Sequence, residues 1–170
     1  MPRSTTSSRP ATGVLIRPAT DADFEALVDL DLSSARHHVG LDPGLYRLPD
    51  RDAVAAFLRR RLADPDRQVL VAVIDGAVVG SVDVTLAPDP DRGSIIAAVP
   101  TVDIGISVLE SWRGRGIGEA LMTAAEANAR SRGARRIILD MSAANVGAAR
   151  FYERLGYRTY GQLMRKEVGR

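Results

Sequence analysis

Apolar positions along the chain recur with two different periods, and the changes of period outline its elements. The run VLIR at 14–17 reads as a short strand that Pro18 ends. Behind it Phe24, Leu27, Val28 and Leu32 repeat at helical spacing, and Thr20 with Asp23 fits a capping box at the helix start. This helix is expected to end before SARHHVGLDPGLYRLPD, whose Gly, Pro and Asp content reads as loop. Asp50 then suits the N-cap of a second helix with Val54, Phe57, Leu58 and Leu62 on one face, closed by Asp64 and Pro65. Two β-rich runs, Gln68 to Ile74 and Ala77 to Leu86, flank Asp75-Gly76, the dipeptide that most strongly signals a hairpin.

After the loop APDPDRGS, Pro100 interrupts a long apolar run, which leaves a regular strand from about Thr101 to Leu109. A glycine-rich turn follows, and the next helical pattern carries Ile117, Ala120, Leu121, Ala124 and Asn128 on one stripe up to the stop at Arg132-Gly133. Arg136 to Met141 reads as a buried strand, SAAN as a turn, and Gly147 to Leu155 as a helix capped by Gly156. Tyr157 to Tyr160 and Leu163 to Val168 are expected to form a closing hairpin around Gly161-Gln162. The strand-turn-helix-strand unit from Val102 to Met141 requires a right-handed parallel crossover, whereas the earlier hairpin is antiparallel. An α/β fold follows, with a mixed, mostly antiparallel central sheet of six to seven strands and helices on both faces.

Composition narrows the function classes. With 170 residues, 45% hydrophobic and 26% charged, the chain reads as one globular domain spanning 13–170, preceded by a disordered tail over 1–12. The opening MPRSTTSSRPATG has no apolar run and is not expected to be a secretory signal, and no stretch reaches the roughly 18 apolar residues of a membrane span. A cytoplasmic protein is expected. The chain has no cysteine, which removes a thiol nucleophile, a disulfide framework and a thiolate metal site. Its cations are nearly all arginine, with Lys166 the single lysine, and the net charge is only +2. Arg59 to Arg61 and Arg130 to Arg136 lie among acids in helical patterns, so they read as solvated faces rather than a nucleic-acid surface.

The chemistry gathers at the turn between the strand ending near Val108 and the helix starting near Ile117. Backbone N–H groups there, backed by the positive end of the helix dipole, suit a phosphate or pyrophosphate. Glycine lets a ligand approach the backbone closely. A P-loop would need Gly-Lys-Ser/Thr, and the turn has no lysine; a dinucleotide fingerprint would need Gly-x-Gly-x-x-Gly, and the glycines stand at 114, 116 and 118.

Arg113, Gly116 and Gly118 match Gln/Arg-x-x-Gly-x-Gly/Ala at a strand-to-helix junction. Asn145, Ala148, Phe151, Tyr152, Gly156 and Tyr157 match a second element, Asn-x-x-Ala-x-x-Phe-Tyr-x-x-x-Gly-Phe/Tyr. In this order, the two resemble the GNAT superfamily of acyl-CoA-dependent N-acetyltransferases. The resemblance is specific over roughly Val102 to Val168. It implies that the amides of Arg113, Gly114, Arg115, Gly116, Ile117 and Gly118 hold the pyrophosphate of acetyl-CoA. It implies too that Ile106, Ser107 and Val108 pair with the pantetheine arm like an added strand, and that this strand splays from its parallel neighbour to form the acyl-CoA cleft. Asn145 would line the far side of the arm. Glu110 departs from the family's frequent proline near this position, and Trp112 is expected to pack beneath the turn.

Moving an acetyl group from a thioester to an amine requires deprotonation of an ammonium, a donor for the oxyanion and an acid for the departing thiolate. Positioning supplies much of the acceleration, no covalent enzyme intermediate is needed, and no metal is expected. The resemblance makes Tyr152 the candidate acid. For the base it offers Asp103 or Asp140, with Asp83 a third alternative; each is also compatible with a solvated strand residue or an arginine partner. His37 and His38 fall in the region Ala35 to Tyr46 that, with Pro88 to Ser94, is expected to shape the acceptor pocket, so they read as acceptor-side or surface groups. The reading is an N-acetyltransferase acting on a primary amine of a small molecule or peptide, without nucleic-acid or membrane partners. Many relatives dimerise, which leaves a homodimer open. The alternative is a catalytically weak acyl-CoA-binding regulatory module.

Overall fold

Asp75 and Gly76 both take positive φ, 49° and 79°, which is the backbone a tight two-residue hairpin demands. Around them β2 (Arg67–Ile74) and β3 (Ala77–Leu86) pair antiparallel. A computed structural model describes residues 13–166 and 168; the expected tail over 1–12 lies outside them. The chain divides into two compact units, one ending at Asp140 and the other beginning at Met141.

In the first unit the sheet order is β1-β2-β3-β4-β5, adding β1 (Leu15–Pro18), β4 (Thr101–Val108) and β5 (Arg136–Ile138). All neighbours are antiparallel except β4 and β5, which run parallel as the crossover requires. β2 and β3 are buried on both faces. One face, through Val69, Val71 and Val73, packs with Leu27, Val28 and Leu32 of α1 (Phe24–Leu41) and Val54 and Leu58 of α2 (Arg51–Leu62). The other carries α3 (Ile117–Ser131), whose buried residues are Ile117, Leu121, Met122, Ala125 and Ala129; Ala120, Ala124 and Asn128 of the expected stripe are only half-buried.

Gly80 of β3 shows how closely α3 and β4 approach: a Cβ there would stand 2.9 Å from the Ser107 carbonyl oxygen and 3.1 Å from Leu121 Cδ1. Gly80→Ala is therefore expected to cost about 1 to 3 kcal/mol of stability through overpacking. Urea denaturation measures it, and an unchanged midpoint would mean that the strand pair relaxes freely.

Three expectations are corrected. The first helix does not stop before Ser34 but continues to Leu41, because Ala35 to Val39 tolerate helix and the break comes at Asp42-Pro43. Among the described residues the sheet has five strands rather than six to seven: residues 157–166 form no strand, Tyr160, Leu163 and Met164 are exposed, and Glu167 of the expected second hairpin arm lies outside the described residues. A hairpin without a face to bury is marginal in water, whatever its turn residues. The parallel strand is also shorter than Arg136 to Met141, ending at Ile138. The second unit contains α4 (Val146–Arg154), which Asn145 caps by accepting from the Ala148 N–H at 3.0 Å and which ends at Gly156 with φ 91°. Among the described residues no helix is long and apolar enough to cross a membrane.

Candidate active site

β4 has buried residues on one face, Val102 and Ile104, and solvent-exposed Asp103 and Gly105 on the other. Its pairing with β3 runs the full strand from Val102 to Val108, but its pairing with β5 ends at Asp103, opposite Ile138. Among the described residues, no strand pairs with that edge of β4 from Ile104 to Val108. Ile106, Ser107 and Val108 all lie on that stretch, half-buried, with their second edge open to an extended ligand.

Where β4 ends, a single 3-10 turn at Glu110–Trp112 leads into the glycine turn. Gly114 and Gly116 have φ of 73° and 78°, a region costly for other residues, so the chain reverses tightly before Ile117. Gly116 is the N-cap of α3 and brings no capping side chain. The first-turn amides of an α-helix have no partner within the helix, and here the cap residue supplies none. A Cβ at Gly114 would meet nothing within 4 Å, so its lack of side chain leaves open space beside the backbone. The donors, the dipole and the room beside Gly114 together suit an anion such as a phosphate group.

Two arginines of the turn are held by their neighbours. The Arg115 guanidinium stands 4.7 Å over the Trp112 ring, which places Trp112 against the turn's own side chain. Arg113 Nε donates to the Val108 carbonyl at 3.2 Å, and its Nη1 lies 3.5 Å from His37 Nδ1 on the last turn but one of α1. The extension of α1 makes this contact. His37 thus belongs to the turn's surroundings rather than to a free loop, while His38 Nδ1 bonds the Ser34 carbonyl at 2.8 Å and its ring meets Tyr46 at 5.0 Å.

The three carboxylates divide by environment. Asp83 is buried and ion-paired with Arg61, and its other oxygen stands 3.6 Å from Arg67 Nη1. Arg61 also binds Asp31 at 2.8 Å. Burial raises the Asp31 carboxyl above the ordinary range, with Asp83 adding to the rise and Arg61 opposing it. Arg61 is thus not part of the solvated basic face that the run Arg59 to Arg61 suggests. Its signal was its position: Val54, Leu58 and Arg61 follow one helical stripe, so a charge at 61 needed partners inside. Asp103, in contrast, has no cation within ion-pair distance among the described residues. Partial enclosure raises its carboxyl first and Asp140 second, with Arg67 acting the other way. Asp140 is exposed just past β5.

In the second unit Asn145 is committed through its Oδ1 to capping α4. Tyr152 packs its ring against Phe151 at 5.2 Å and Tyr157 at 5.9 Å between centroids. Burial raises its phenol above the ordinary value of 10.0, so the group is protonated throughout the neutral range.

With this geometry in view, comparison with known proteins is specific. The model of the acetyltransferase (GNAT) family matches residues 29–157. The aminoglycoside N(6')-acetyltransferase type 1 of Stenotrophomonas maltophilia is 32% identical over 148 residues, covering 86% of this chain and 88% of that protein. The glucosamine 6-phosphate N-acetyltransferase of Trypanosoma brucei brucei is 32% identical over 152 residues, covering 87% and 97%. Among solved structures, the aminoglycoside N-acetyltransferase AAC(6')-Iy in complex with CoA superposes with a TM-score of 0.69 at 24% identity, covering 91% of this chain and 94% of that one. That likeness establishes a shared fold.

Proposed function

The chain belongs to the GNAT acetyltransferase family, and on that premise we propose that it is a cytoplasmic, acetyl-CoA-dependent N-acetyltransferase in which a primary amine of a small molecule or peptide attacks the thioester directly. The observation that carries this reading is the junction of β4 with α3: an uncapped, glycine-opened helix N-terminus follows a strand whose second edge is free from Ile104 onward. The one feature suits a pyrophosphate and the other an amide-bearing arm, in the order in which CoA carries them. Residues 13–170 act as one acetyltransferase domain in this reading.

The roles follow from the chemistry of each group. Amides from Gly114 to Gly118 hold the pyrophosphate, the Arg113 N–H being already engaged by the Glu110 carbonyl at 3.2 Å, and the backbone groups of Ile106 and Val108 hydrogen-bond the pantetheine arm, while Ser107 between them turns its own toward Ser81 of β3. Asn145 has its oxygen engaged as a cap, so its amide NH2 is the donor left for that arm. Asp103 is favoured as base over Asp83, because Asp83 is buried and held by Arg61, whereas Asp103 has no ion-pair partner among the described residues and its carboxyl is raised by enclosure. Asp140 supports it by like-charge proximity. Tyr152, protonated through the neutral range, donates to the departing thiolate. The names of the two curated relatives, an aminoglycoside and a glucosamine 6-phosphate acetyltransferase, support a small-molecule amine as acceptor.

Titration calorimetry tests the binding step. Acetyl-CoA is expected to bind in about the micromolar range, −8 kcal/mol or so, and no detectable heat would sink the proposal. Release of free thiol in the presence of a panel of amines then separates an enzyme from a module that only binds.

A further inference from the structure

We propose that His37 is a positioning residue for Arg113, and that through it acetyl-CoA affinity becomes sensitive to pH. The inference rests on the acetyl-CoA site proposed above and extends it to a helix that supplies none of that site's assigned residues. Arg113 stands where the 3-10 turn after β4 gives way to the glycine turn. Its guanidinium is tied at two points: Nε to the Val108 carbonyl at the strand's end, and Nη1 to the His37 ring from α1. Arg113 is otherwise exposed. A long exposed side chain has many rotamers, and each tie removes some of them before a ligand arrives.

For the second tie to hold, His37 Nδ1 must accept, because a guanidinium has only donors. The ring is then neutral, with its proton on Nε2. The charged and titratable groups facing His37 are Arg113 and Glu110 from the β4–α3 turn and His38 from its own helix. Burial lowers its basicity first, Arg113 and His38 lower it further, and Glu110 opposes them. The ring is therefore neutral at neutral pH and gains its proton only below the ordinary histidine value of 6.5. Protonation removes the lone pair and puts a cation against a cation. Arg113 is pushed off, the ordering is lost, and the turn binds acetyl-CoA less well on the acid side.

Three proteins test this by calorimetry with acetyl-CoA between pH 5.5 and 7.5: wild type, His37→Gln, which keeps an acceptor oxygen but does not titrate, and His37→Leu, which has no acceptor. On acidification the wild-type Kd is expected to rise about fivefold more than that of His37→Gln, the size of losing one exposed charge-assisted hydrogen bond. His37→Leu is expected to bind about fivefold more weakly than wild type at pH 7.5. Titration of the ligand's own phosphates is common to all three and cancels in the ratios. Parallel pH profiles for wild type and His37→Gln, or wild-type affinity in His37→Leu at pH 7.5, overturn the proposal while leaving the acetyl-CoA site intact. No acetyl-CoA binding by the wild type at any pH overturns both.

Discussion

Tyr152→Phe is expected to lower kcat by about two orders of magnitude while leaving the Kd for acetyl-CoA and the unfolding midpoint nearly unchanged. The substitution removes one oxygen and keeps the ring that packs against Phe151 and Tyr157. A positioned general acid contributes about 10²- to 10⁴-fold, and thiolates leave readily, so the lower end applies. The pH profile sharpens the test. Because burial holds the phenol protonated beyond its ordinary range, the acid is not lost on the alkaline side until above pH 10.0. Because enclosure raises Asp103, the acidic limb of kcat/KM should fall at a pH above the free carboxylate value of 3.8, and Asp103→Asn should abolish that limb. Unchanged turnover of Tyr152→Phe under saturating substrates would take the residue out of the mechanism.

The largest loss of stability is expected from Arg61→Met. Its guanidinium neutralises Asp31 and Asp83 at once, and side-chain exposures of 15%, 21% and 10% put all three largely out of water. Removing one partner of a buried ion pair strands the other charge, a cost of about 3 to 5 kcal/mol. Two carboxylates are stranded here, although Arg67 remains beside Asp83 at 3.6 Å and offsets part of the loss. A loss of about 3 kcal/mol at neutral pH is the expected figure. Urea denaturation at neutral pH reads it directly. Adding Asp83→Leu to Arg61→Met should cost less than the sum of the two single changes, since the stranded charge goes with it. A single-variant loss near zero would show that water screens the cluster.

The same cluster shows where the sequence was hard to read. Nothing in LRRRL separates Arg61 from Arg59 and Arg60 except the helical phase, which aligns it with Val54 and Leu58. Its partners lie 30 and 22 residues away, on α1 and β3. Phase identifies the buried face, but pairing across elements decides whether a charge can live there. The end of α1 is obscure in sequence for a related reason: Gly40 and the Asp, Pro and Gly residues after it signal a loop, while the helix itself runs on to Leu41 and carries His37 to the glycine turn.

The elements whose determinants are local could be read from the sequence alone. A hairpin is set by two residues able to take positive φ, a helix start by Asp50 accepting from the Ala53 N–H at 2.8 Å, and the tight turn before α3 by glycines at the end of an apolar strand. Each depends on conformational preferences within a few residues, which composition and spacing record. Tertiary structure decided the rest. It ended the β4–β5 pairing at Asp103, left residues 157–166 without strand structure, neutralised Asp83 with Arg61, and brought His37 to Arg113. Those outcomes depend on which surfaces meet across long separations in the chain, and on burial and charge that exist only once they have met.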